Sequence, residues 1–232
     1  MTSPGLKTVM KVAILAASAL ALAACSSDED SGLTQSLVAA TTLFNGVTSS
    51  APTAVSRDQA AAIPFATIGI RAGNGVEQLL VMGTFSGSNI LWGNSASGVA
   101  VLTEDGRIVQ ATGFGGDLTK LIRIGGSQKL PQSPADGVTK SGWDADFADL
   151  KIYSARIDCE ARAAKEESIS ILGTAIAAER IDETCHSAIL GWSFANTYWV
   201  NPATGFVWMS VQNIHPGAAP LTTEILRPPS KS

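Results

Sequence analysis

Histidine is almost missing from this chain: its 232 residues include only His186 and His215. A metal centre would need carboxylates to complete it, and no ligand spacing of a familiar kind is present, so neither a metal nor a cofactor is expected. Basic residues are also scarce, with 16 Lys and Arg against 20 Asp and Glu. They form none of the clusters that neutralise phosphates, which speaks against nucleic acid as a partner. Apolar runs are short as well. The one near the N-terminus, Val12 to Leu22, spans 11 residues, well below the roughly 20 that a bilayer-crossing helix needs.

That run nevertheless has a setting. Lys7 and Lys11 precede it and Ala23-Ala24-Cys25 follow it, the three-part layout of a secretory signal over residues 1–24. Leu22-Ala23-Ala24-Cys25 resembles the lipobox of bacterial lipoprotein precursors, which implies cleavage before Cys25 and a lipid on its thiol. The alternative is an ordinary signal with a chance cysteine. Several acyl chains at about 0.8 kcal/mol per buried methylene hold a protein on a membrane surface without spanning it. Ser26, rather than Asp, after the cysteine implies by the same resemblance an outer-membrane location facing the periplasm. Residues 25–35 include Ser26-Ser27-Asp28-Glu29-Asp30 and read as a flexible acidic tether, too polar to bury a core.

Without residues 1–24 the chain has 208 residues. Losing Lys7 and Lys11 lowers the basic count to 14 against 20 acids, a net charge of −6. One folded domain over 36–232 is expected. Beyond Cys25 two cysteines remain, Cys159 and Cys185. In an oxidising compartment they are candidates for a disulfide, with buried thiols or half of a metal site as the other readings.

Leu37, Ala40, Phe44 and Val47 recur at helical spacing after Ser36, predicting one amphipathic helix. From Ala62 onward, short apolar runs alternate with Gly, Asn, Asp and Pro, a strand-and-turn pattern. Strands are expected at 65–70, 78–85 and 89–93, then at 99–103 and 107–112 around Asp105-Gly106, a preferred centre for a type I′ hairpin. Residues 125–142 read as a surface loop. Further strands are expected at 150–157, within 168–181, and at 198–200 and 206–211 around a turn ending in Gly205. The last, 222–227, stops at Pro228-Pro229. The fold class is therefore mainly β: one antiparallel β-rich domain, a curved sheet or a sandwich or barrel, with a few short helices.

Catalytic motifs are weak. Gly191-Trp192-Ser193-Phe194-Ala195 lacks the fifth-position Gly of a nucleophile elbow and any α/β frame around it. Gly113-Phe114-Gly115-Gly116 is too short for a dinucleotide fingerprint. Asp144, Asp146 and Asp149 lack the glycine and distal glutamate of an EF-hand. No catalytic residue is nominated. Five tryptophans, 92, 143, 192, 199 and 208, are candidates for stacking on sugars or for the core.

Three blocks resemble one family, the YjbF/GfcB lipoproteins associated with exopolysaccharide and group 4 capsule. The first is Ile63-Pro64-Phe65-Ala66-Thr67-Ile68. The second runs from Asp105-Gly106-Arg107 to Phe114 and on to Asp117-Leu118, with Trp92 before it. The third is Phe194-Ala195-Asn196-Thr197-Tyr198-Trp199-Val200, continuing through Thr204-Gly205, Val207-Trp208, Ser210-Val211-Gln212 and Pro216. The resemblance implies a β-rich fold and a non-enzymatic accessory role in making or exporting extracellular polysaccharide. Its implied partners are the membrane through the lipid, polysaccharide, and outer-membrane secretion proteins encoded nearby. Pro64, Asp105, Gly106, Asn196, Gly205 and Gln212 read as structural, the amides satisfying backbone at strand ends. Trp92, Arg107 and Trp199 are the candidates for contact with an acidic sugar or a partner. A glycan-binding or glycan-trimming protein and a protein-binding scaffold for an outer-membrane barrel remain as alternatives.

Overall fold

The computed structural model describes residues 54–125, 130 and 137–229. The helix expected at 36–47, the tether, Cys25 and the signal lie outside the described residues.

A single short helix, α1 (Arg57–Ala61), precedes the strands. Ser56 caps it: its Oγ accepts from Gln59 N, and the Gln59 side chain accepts from Ser56 N, a reciprocal capping box. Twelve strands follow. The first six are β1 (Thr67–Ala72), β2 (Gln78–Ser86), β3 (Asn89–Asn94), β4 (Val99–Glu104), β5 (Arg107–Thr112) and β6 (Lys120–Arg123). The remainder are β7 (Val138–Phe147), β8 (Ile152–Ile171), β9 (Thr174–Ser187), β10 (Trp192–Val200), β11 (Val207–Gln212) and β12 (Leu221–Arg227).

Consecutive strands pair antiparallel except β5 and β6, and β12 returns to pair with β1. The sheet thus runs β5-β4-β3-β2-β1-β12-β11-β10-β9-β8-β7-β6. Its two edges are β5 and β6, and just before β6 Leu118 forms an isolated bridge to Ala111 of β5, with N–O distances of 2.9 and 3.1 Å. The result is a nearly closed, barrel-like antiparallel sheet with one lateral seam. Closure of this kind removes most of the exposed edge that would otherwise template aggregation.

Alternation decides what faces inward. Val99, Val101 and Thr103 of β4 are buried, as are Ile181, Glu183 and Cys185 of β9 and Asn196, Tyr198 and Val200 of β10. Twelve strands enclose more space than the eight that side chains just fill. Trp92, Trp143, Phe147 and Tyr198, each nearly inaccessible, take up much of it.

The Asp105-Gly106 hairpin forms as its sequence predicts, with φ of +49° and +82° and Glu104 opposite Arg107. Both positive φ values belong to the type I′ turn. Several elements differ from expectation: β6 was not anticipated, and β10 begins at Trp192 rather than Tyr198. Strand β7 starts at Val138, so the end of the expected 125–142 loop is strand. Two separate strands were expected within 150–181, yet β8 and β9 form one long hairpin that turns at Leu172-Gly173, both at positive φ. The charged run Lys165-Glu166-Glu167 in the middle of β8 hides it from a hydrophobic-pattern reading. Finally, α1, the only helix among the described residues, was not located from the sequence.

Beyond a bulge between Ala163 and Lys165, the hairpin changes the face it buries. Ile169, Ile171 and Ala178 pack with Trp199, Trp208 and Leu226 in a second cluster, distinct from the main barrel core. Arg57 of α1 fastens the tip by donating to Leu172 O and to Thr174 Oγ1.

Candidate functional site

The barrel interior holds a polar network that joins β5 to β9, β10 and β11, none of which shares a ladder with it. Arg107 of β5 reaches Glu183 of β9 with two prongs, Nη1–Oε2 at 3.0 Å and Nη2–Oε1 at 2.6 Å. Its guanidinium also lies over Trp143, 4.5 Å from the ring centroid, and near Tyr198 at 5.3 Å. Glu183 accepts further bonds from Asn196 Nδ2 (2.9 Å) and Tyr198 OH (3.3 Å). Burial pushes the Glu183 carboxyl up, but the charge and hydrogen bonds of Arg107 outweigh burial and hold it below the usual carboxylate range. For Arg107, burial opposes the charge and Glu183 more than restores it, raising its pKa further. Burial raises the Tyr198 phenol well above its ordinary value. The guanidinium is planar and forked, which suits this two-pronged geometry.

Gln212 of β11 extends the network. Its Oε1 accepts from Ile108 N (3.0 Å), and its Nε2 donates to Gly106 O (2.9 Å) and Ser210 Oγ (2.8 Å). Ser210 Oγ in turn lies 2.6 Å from Thr223 Oγ1. The first of these bonds supplies a backbone N–H at the open edge of β5, which has no partner strand there. Asn196 Oδ1 accepts from Asn213 N at 2.8 Å. Both amides therefore satisfy backbone groups near strand ends.

At the end of the barrel where the β4–β5 and β10–β11 turns lie, a cavity of about 580 Å3 remains. Ile90, Trp92, Ile181, Val200, Val207 and Ile225 supply apolar wall, and Glu104 and Asp105 line it from the hairpin turn. Gly205 (φ +72°) and the turn begun by Asn201, whose Oδ1 accepts from Ala203 N and Thr204 N, form another side. Close packing explains Gly106: a Cβ there would meet Val207 side-chain atoms at 2.5 Å.

The three nominated contact residues have separate settings. Arg107 is buried and committed to Glu183. Trp92 lines the cavity but is 1% exposed, and its Nε1 donates to Thr103 Oγ1 at 3.0 Å. Trp199 belongs to the second cluster and donates from Nε1 to Glu167 Oε2 at 2.8 Å. Pro64 lies between α1 and β1. The sequence reasoning missed Glu183 and Arg123. A carboxylate between Ile181 and Cys185 at period-two spacing is the signal that marks Glu183 as inward-facing.

Cys159 and Cys185 face each other across β8 and β9 and are joined by a disulfide. Glu183 lies close to both sulfurs, yet sulfurs joined to each other are not thiolate ligands for a metal. On the barrel exterior, Asp158, His186 and Ser193 sit opposite one another across β8, β9 and β10. His186 Nδ1 is 2.9 Å from Ser193 Oγ. Asp158, however, is paired with Arg156 at 2.7 Å rather than with the imidazole, so the third link of a triad is not made. Ser193 lies in strand β10, not in the strand-to-helix turn of a nucleophile elbow.

Many residues of this mouth and network, among them Trp92, Asp105, Gly106, Arg107, Asn196, Tyr198, Val200, Gly205, Val207 and Gln212, belong to the second and third sequence blocks, whereas Trp143 and Glu183 do not. A family model described as "Group 4 capsule polysaccharide lipoprotein gfcB, YjbF" matches residues 36–226. The chain belongs to this family. Among solved structures, the crystal structure of the hypothetical lipoprotein YmcC from Escherichia coli (K12) is similar, with a TM-score of 0.64. The two share 21% identity over 84% of this chain and 97% of YmcC, a likeness of fold. No curated protein matches the sequence. Membership of the YjbF family makes this a lipoprotein-family chain connected by name to group 4 capsule polysaccharide.

Proposed function

We propose that this YjbF-family chain is a periplasm-facing lipoprotein, anchored to the outer membrane through Cys25, that acts as a non-enzymatic accessory factor in production or export of a capsular or extracellular polysaccharide. The match of the capsule-lipoprotein family over 36–226 carries the reading. Two features support it. The lipobox-like Leu22-Ala23-Ala24-Cys25 and the acidic stretch after it suit an anchored, tethered domain. The buried ionisable groups Arg107, Glu183 and Tyr198 are bound to one another, so Arg107, which lines the cavity, is already committed to its carboxylate and is a poor general acid or base.

The test is a clean deletion in the parent organism, with cell-bound and released polysaccharide measured under inducing conditions and the deletion complemented by the wild-type gene. Loss or retention of polysaccharide inside the envelope is expected. Unchanged amount, chain length and location would sink the proposal.

A further inference from the structure

The mouth cavity contains unbalanced chemistry. Arg123, at the end of β6, lines it, and its guanidinium lies 5.0 Å from the Trp143 ring centroid. Among the described residues no carboxylate pairs with Arg123, and its Nε is buried without a hydrogen-bond partner. Trp208, on the β11 wall of the same cavity, likewise buries its Nε1–H without an acceptor. Two residues that line one cavity thus each carry a buried donor without an acceptor, which calls for oxygen atoms from elsewhere, because a buried donor left unmet keeps its full desolvation cost. Arg107 does not share this deficit, since Glu183 neutralises it.

The rest of the wall is mostly apolar, and the volume of about 580 Å3 falls within the roughly 300–1,000 Å3 typical of small-molecule sites. A bare sugar has hydroxyls on every side and would leave most of them facing Ile90, Ile181, Val200 and Ile225. A ligand with an apolar body and one anionic end satisfies both parts. Glu104 and Asp105 at the mouth disfavour a polyanion. We infer that the mouth cavity binds an anionic amphiphile, an alkyl-type chain ending in a single carboxylate or phosphate, with the head on Arg123 and the chain along the apolar wall.

This site is independent of the capsule reading, and a purified-protein measurement tests it alone. The full-length protein in a neutral maltoside detergent is irradiated with diazirine-bearing palmitate, and separately with the matching alcohol, and the labelled peptides are sequenced. Palmitate label is expected in 88–92 and 200–208. Arg123→Gln lowers palmitate labelling about tenfold, the loss expected for a hydrogen bond to a charged group, while alcohol labelling changes less than twofold. Arg123→Lys retains most of the palmitate signal. Ile90→Trp, which fills the wall, lowers both probes. A thermal melt matching wild type keeps each variant interpretable, and Arg123→Lys serves as the second variant if Arg123→Gln does not fold. Equal loss of both probes in Arg123→Gln overturns the inference. So does label concentrated on exterior positions such as Phe85 and Tyr153, or displacement of palmitate by free glucuronate, which would make the ligand a sugar acid.

Discussion

Arg107 and Glu183, 76 residues apart in the chain, close a two-pronged ion pair through the middle of the barrel, with its shorter contact at 2.6 Å. The pair links β5, an edge of the seam, to β9 in the opposite part of the sheet. It ties the seam edge to the long β8–β9 hairpin, and its removal reports on closure.

Removing one partner leaves a buried charge alone. Arg107→Met or Glu183→Gln is expected to destabilise the domain by about 3–5 kcal/mol, whereas Arg107→Met combined with Glu183→Met recovers much of the loss. Urea unfolding of the three variants checks this. A double variant as unstable as the sum of the singles would contradict it.

The same network sets a pH profile. The Glu183 carboxyl is held down in the folded state, so its stabilisation is complete above the ordinary carboxylate value of about 4.3 and is lost as pH falls through the lower folded value. Tyr198 is raised; its contribution is complete below the ordinary tyrosine value of about 10 and is lost as pH rises beyond it. Denaturant midpoints measured across pH should fall at both ends. Glu183→Gln should flatten the acid limb and Tyr198→Phe the alkaline one.

The disulfide makes a separable contribution. Cys159 and Cys185 close a 26-residue separation, worth about 3.5 kcal/mol on the chain-entropy account. Replacing both with Ala is expected to lower the melting temperature by several degrees while leaving the far-ultraviolet spectrum that of a β protein. Reduction of the wild type should give the same shift.

At the hairpin turn, Gly106→Ala combines a φ of +82° with a Cβ 2.5 Å from Val207. A loss of about 1–3 kcal/mol is expected from strain of this kind. Asp105→Asn, which tolerates positive φ, should melt within a degree or two of wild type.

The anchor has its own check. Cys25→Ser is expected to yield a protein that lacks the acyl mass and leaves the membrane fraction. A variant matching the parent in both respects would refute lipidation.

Much of the sheet was legible in the residues. Asp105-Gly106 between β-branched runs allows little except a tight hairpin, because Gly reaches positive φ without penalty. Pro228-Pro229 ends β12 because neither residue can donate to a ladder. The β8–β9 hairpin was not legible as one element, since its central residues are charged and the bulge after Ala163 changes the buried face. The two cysteines could be nominated as a pair but not joined, because pairing depends on register.

Local chemistry, then, determined the β class, the turns and the block residues that place this chain in its family, since each depends on the preferences of a few adjacent residues. Only the tertiary structure decided what those residues do. Arg107 reads in sequence as a surface fork for a partner, and folding places it 76 positions from its carboxylate and in contact with it. Arg123 belongs to no motif in the sequence, and folding brings it to the cavity wall with its Nε buried and without an acceptor. Partners across a barrel are chosen by strand order and register, which no local stretch of sequence contains.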